Sequence, residues 1–121
     1  MIDTHCHLHY DYSPKTEDIL IREAAEVGVQ ILITVATDLP SLLAVAAISE
    51  RHREVFHTAG VHPHDVKEIQ DSDLMRIEQA ARHPKCKAIG EIGLDYHYDH
   101  SPRSTQIRRL REQLEIAQSL R

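Results

Sequence analysis

The chain has 121 residues, 41% hydrophobic and 27% charged, with a formal net charge of −5. That length bounds it to one domain with a core of its own, and no apolar run approaches the roughly 20 residues a membrane span needs. The acidic balance argues against a large basic nucleic-acid footprint, although bound cations can supply the local positive charge a phosphodiester requires.

Met1 to His7 predicts a first strand. Alternation puts Asp3, His5 and His7 on one face and Ile2, Thr4 and Cys6 on the other. Two neighbouring imidazoles at a strand end, with a carboxylate one step below, form part of a divalent metal site. Solvated or hydrogen-bonded histidines are the alternative in a chain with ten of them. Lys15 to Glu26 predicts a helix with Ile19, Leu20, Ala24 and Val27 on one face and Gly28 as its stop. Gln30 to Thr37 is a nearly continuous apolar run, expected as a strand buried on both faces. Asp38 or Ser41 caps the next helix, which runs to about Arg53 with Leu43, Ala46, Ala47 and Ile48 inward. Val55 to Val61 is a third strand, and Ser72 to His83 a helix with Leu74, Ile77 and Ala81 at helical spacing. Lys87 to Gly93 is a fourth strand. Arg103 to Leu120 closes the chain as an amphipathic helix with Ile107, Leu110, Leu114 and Ala117 on its buried stripe.

Four βα units in succession imply a parallel sheet with right-handed crossovers. A flavodoxin-like open sheet and a (β/α)8 barrel both begin this way. The polar residues favour the barrel: His5 and His7, then His62 and His64, then Glu91 and Asp95 fall at the ends of successive strands. No Gly-rich phosphate loop is present. Cys6 and Cys86 give no disulfide framework, and no secretory signal opens the chain, so reduced thiols in a cytoplasmic protein are expected. By alternation Cys6 points away from the site, into packing.

Glu91 lies in Gly90-Glu91-Ile92-Gly93. An unpaired carboxylate inside a barrel is costly unless it is protonated, salt-bridged or bound to metal, and flanking glycines signal close approach of a ligand or backbone. Metal ligation answers that cost most directly; a Lys or Arg partner is the alternative. His62 and His64 flank Pro63 just after the third strand. They could hydrogen-bond a substrate phosphate or carboxylate, or cap neighbouring backbone.

Asp3-Thr4-His5-Cys6-His7-Leu8, Gly60-Val61-His62-Pro63-His64 and Gly90-Glu91-Ile92-Gly93-Leu94-Asp95-Tyr96, in this order, resemble the TatD family of metal-dependent hydrolases. Gln106, Gln113 and Ala117 also resemble the family's helix after the fourth strand. The resemblance implies the first four βα units of a TIM (β/α)8 barrel and a binuclear centre with two divalent ions (Zn²⁺, Mn²⁺, Mg²⁺ or Ni²⁺). His5 and His7 match ligands of one ion. Glu91 matches the catalytic carboxylate that bridges both, and His62 and His64 match positions near the substrate phosphate. The implied activity is phosphodiester hydrolysis of DNA by metal-activated water. Deacylation of D-aminoacyl-tRNA, or other ester or amide hydrolysis on the same barrel, is the runner-up; the PHP phosphoesterases also open with a His-x-His strand. Family members carry further metal-binding histidines and an aspartate beyond the fourth helix, where this chain stops. Residues 1–121 are therefore expected to be the N-terminal half of a longer enzyme, and the missing half, or a second copy of this chain, to complete the barrel. An inactive metal-binding or assembly module is the non-enzymatic reading.

Overall fold

The computed structural model describes residues 1–120. Strands and helices alternate strictly: β1 (Ile2–Cys6), α1 (Glu17–Glu26), β2 (Ile31–Thr34), α2 (Leu39–Arg51), β3 (Val55–Ala59), α3 (Asp71–Ala81), β4 (Cys86–Ile89) and α4 (Arg103–Ser119). The strands form one sheet in the order β1-β2-β3-β4, every neighbouring pair parallel. A doubly wound sheet departs from sequence order near its first strand, whereas an unbroken run of consecutive parallel strands is how a (β/α)8 barrel is laid down. The chain is the first four βα units of that architecture, with β1 and β4 as the two edges.

Local chemistry sets the helix ends. Gly28, at φ +90°, stops α1 in a conformation that side-chain-bearing residues rarely adopt. Asp38 and Ser41 cap α2 reciprocally: Ser41 N–H donates to Asp38 Oδ1 at 2.8 Å, and Asp38 N–H to Ser41 Oγ at 2.9 Å. At the other end of α2, the Lys85 ammonium donates to the carbonyls of Ser49 (2.5 Å) and His52 (2.6 Å), placing a cation on the negative end of the helix dipole. Burial then ties the layers together. Ala36, Leu42, Val45, Ala59, Val61, Val66, Ile69, Ile77 and Ile116 form the larger core cluster; Leu8, Ile21, Leu32, Ile48 and Val55 form a second one near β1 and α1.

Several boundaries and faces differ from the sequence expectation. β2 alternates, with Leu32 and Thr34 buried and Ile31 and Ile33 only half-buried, so it is not covered on both faces. Leu43 is 72% exposed, and Val27 also faces solvent; Leu42, Val45, Ile48 and Ser49 are the inward residues of α2. The largest correction concerns α4. Ile107 and Leu114 are exposed, Leu110 and Ala117 are half-buried, and the inward residues are Gln106, Arg109, Gln113 and Ile116. The helical period is as expected but its phase is one residue earlier. The reason is polar. Gln113 Oε1 accepts Val61 N–H at 2.8 Å while its Nε2 donates to Val61 O at 3.3 Å. Gln106 likewise accepts Asp95 N–H at 2.8 Å and donates to Ser101 O at 2.8 Å. Arg109 donates to Ile69 O at 2.8 Å and pairs with Asp71 and Glu112. Buried loop backbone needs these partners, and the amide-bearing face of α4 provides them.

β4 ends at Ile89, so Glu91 lies beyond the strand and strand alternation does not place it. Glu91 N–H instead reaches back to Ala36 O at 3.4 Å, and Gly90 N–H donates to Ala59 O at 2.9 Å. The close approach is made possible at Gly60, not at Gly90 or Gly93. A Cβ on Gly60 would sit 3.0 Å from Ile92 Cγ2 and 3.2 Å from Gly90 backbone atoms, whereas one on Gly90 or Gly93 would meet nothing within 4 Å.

Candidate metal centre

In a parallel sheet all strands end on the same side, and the sequence-predicted ligands collect there. Ligand atoms of His5, His7 and Glu91 all lie within 4.8 Å of one another. Glu91 Oε2 is 3.5 Å from His5 Nε2 and 3.9 Å from His7 Nε2. The second oxygen, Oε1, faces His62 Nε2 at 3.7 Å. Among the described residues, the side chains that face the Glu91 carboxylate are the three histidines, and no Lys or Arg pairs with it.

Ring nitrogens have distinct roles fixed by their partners. His7 Nδ1 lies 3.3 Å from Val35 O; a carbonyl only accepts, so Nδ1 carries the proton and Nε2 keeps its lone pair toward Glu91. Tyr10 stacks on this ring, with centroids 4.8 Å apart and planes within 8°. His62 is arranged the other way. His64 N–H donates to His62 Nδ1 at 3.1 Å, so neutral His62 bears its proton on Nε2 and presents a donor beside Glu91. Burial pushes the His62 pKa down, against the pull of the Glu91 charge, which favours that neutral form.

Two candidate residues spend their side chains elsewhere. Asp3 turns back to accept the His5 backbone N–H at 3.0 Å and stands outside the three-residue cluster. His64 turns away from Glu91 and donates from Nε2 to Asp95 Oδ2. Asp95 Oδ1 takes the N–H groups of His97 (2.9 Å) and Tyr98 (3.1 Å), and these bonds, that from His64 foremost, hold its carboxyl down at about 2. Asp95, expected at the end of the fourth strand, lies in the loop six residues beyond it, and its pairing with His64 was not visible because it joins residues 31 apart. Cys6 faces away as expected, its Sγ 3.4 Å from Ile33 O, and burial pushes its thiol up to about 12. It stands outside the His5, His7 and Glu91 cluster.

Two imidazole nitrogens and a carboxylate, one ring already oriented by a carbonyl, suit a borderline divalent ion such as Zn²⁺ or Ni²⁺. A His-His-Glu cluster just beyond the C-terminal ends of parallel strands is where a barrel enzyme of the metal-dependent hydrolase class carries its site. The chain belongs to the TatD related DNase family, whose model matches residues 2–121. It is 33% identical over 121 residues to the uncharacterized metal-dependent hydrolase YabD of Bacillus subtilis, covering 99% of this chain and 47% of YabD. It is 34% identical over 103 residues to the 3'-5' ssDNA/RNA exonuclease TatD of Cronobacter turicensis, covering 85% of this chain and 39% of that protein. The crystal structure of YjjV, a TatD homologue from Escherichia coli, superposes with a TM-score of 0.81 at 31% identity, covering 97% of this chain and 47% of YjjV. The chain thus spans about half the length of these relatives or less. No described helix is long and apolar enough to cross a membrane.

Proposed function

We propose that this chain carries part of a centre that hydrolyses phosphodiester bonds in DNA, with His5, His7 and Glu91 as metal ligands. The carrying observation is the convergence of those three side chains just beyond the strand ends, with no Lys or Arg paired with Glu91 among the described residues. His5, His7 and Glu91 would hold a divalent ion there, which would supply Lewis-acid stabilisation of the phosphate and a water of lowered pKa. Glu91 directs its two oxygens to different sides, Oε2 to the His5–His7 pair and Oε1 toward His62, which suits a bridging carboxylate. His62 Nε2–H is placed to donate to a phosphate oxygen beside Glu91, and the Val35 carbonyl keeps His7 in its ligating tautomer. Asp95 holds His64 at the rim, where its ring packs edge-on against His62 with centroids 4.3 Å apart.

The test is metal-dependent release of nucleotides from labelled single-stranded DNA, run beside deacylation of D-aminoacyl-tRNA. Nucleotide release abolished by Glu91→Gln is the expected result. With three protein ligands and the remaining positions left to water, slow turnover is expected. Deacylation without nucleotide release favours the deacylase reading; metal binding with neither activity reduces the chain to a metal-binding module.

A further inference from the structure

Beside the Glu91 cluster, the segment after β4 exposes an unusual number of rings. Tyr98 is 64% exposed and His100 is exposed too. Their planes are parallel within 1°, with centroids 5.7 Å apart. His64 meets both edge-on, at 5.7 and 4.6 Å, and also meets His62. A continuous path of ring contacts therefore runs from Tyr98 and His100 through His64 to His62 and Glu91.

The loop that presents these rings is pinned. Asp95 Oδ1 accepts Tyr98 N–H, Lys67 Nζ donates to His100 O at 2.9 Å, and Ser101 Oγ donates to His64 O at 2.7 Å. Gln106, fully buried, clamps both Asp95 and Ser101. The two parallel rings, exposed to solvent, therefore stand on a backbone fixed before any ligand arrives, which lowers the ordering cost of binding. Of the loop's two carboxylates, Asp95 is held by His64 and Asp99 is ion-paired with Arg103 at 2.7 Å, so both are directed at protein partners.

We infer that Tyr98 and His100 form a stacking ledge for an unpaired nucleobase next to the phosphodiester to be cleaved, an assignment that rests on the hydrolytic reading above. Every base has a π-face, so such a ledge accepts DNA or RNA of any sequence. A base inside a duplex has both faces covered by its neighbours, so the ledge selects single strands.

The probes are fluorescein-labelled (dA)10 and a decamer of the same backbone with every base removed, titrated onto this chain in EDTA. Fluorescence anisotropy is expected to show about tenfold tighter binding of (dA)10. In NMR the ring protons of Tyr98 and His100 are expected to move upfield with (dA)10 alone, and not with a ten-base-pair duplex. Tyr98→Ala removes the advantage of (dA)10 and Tyr98→Phe restores it; with the side chain in solvent, neither variant threatens folding. Equal affinity for the two decamers, unmoved Tyr98 and His100 resonances, or no binding of either decamer overturns the ledge. Cleavage of the same decamers after adding Mn²⁺ in excess over EDTA is scored separately. Base-dependent binding without cleavage supports the ledge and counts against the hydrolytic reading; cleavage with equal affinities does the reverse.

Discussion

Gln113→Leu isolates the polar clamp that holds α4 against the His62 loop. Gln113 is 1% exposed, and its carboxamide satisfies both backbone groups of Val61, itself 1% exposed. Leucine is close in volume, so no large cavity opens and the change reads the two hydrogen bonds. Each buried backbone group left without a partner costs about 1–3 kcal/mol. The 2.8 Å bond to Val61 N–H lies in the ordinary range, while the 3.3 Å bond from Nε2 is long and contributes less. The sum is about 2–4 kcal/mol, a large part of the roughly 5–15 kcal/mol that holds a domain folded. In urea unfolding followed by circular dichroism the midpoint should drop accordingly, and the melting temperature should fall by about 10 °C. Gln118→Leu, on the exposed side of the same helix, is the control and should stay within about 0.5 kcal/mol of wild type. Equal stability of the two variants would refute the claim that polar satisfaction sets the phase of α4.

Gly60→Ala drives a Cβ into Ile92 and the Gly90 backbone; it should cost about 1–3 kcal/mol and weaken metal binding by displacing Glu91, whereas Gly90→Ala, with open space around its Cβ, should change stability little. Calorimetric unfolding and metal titration of the pair check this. Burial, helped by the charges of His83 and Lys85, pulls the pKa of His57 down to about 4. Its folded-state pKa thus lies below the ordinary 6.5, so the stabilisation is complete above pH 6.5 and is lost as pH falls through about 4. Urea midpoints measured from pH 7 to 4 should decline across that window, and His57→Leu should flatten the decline.

The four βα units were readable because apolar β-branched runs and helical periodicities fall in simple alternation, and because Asp38-x-x-Ser41 and Gly28 mark ends by local chemistry. His5 and His7 were readable as two imidazoles at alternating positions of one strand end, and Glu91 as a carboxylate whose burial demands a partner. What was not readable depends on distant backbone. The inward face of α4 is chosen by Val61, Asp95 and Ser101, whose buried amides and carbonyls no helical-wheel argument sees. Leu43 and Ile107 satisfy the same periodicity as their buried neighbours, and only the packing shows which side is covered. Asp3 obeyed strand alternation as a residue yet spent its carboxylate on the His5 amide. The proton positions of His7 and His62, which leave a lone pair on one Nε2 and a hydrogen on the other, come from Val35 O and His64 N–H and have no signature in composition or spacing.

Anomalous diffraction from crystals soaked in Zn²⁺ addresses the assignment of His5, His7 and Glu91 at its root. The expected result is a zinc peak about 2 Å from His5 Nε2, His7 Nε2 and a Glu91 oxygen, absent from crystals of the His5→Ala, His7→Ala double variant. Zinc bound only elsewhere on the chain, or a peak at this position that survives loss of both imidazoles, would contradict it.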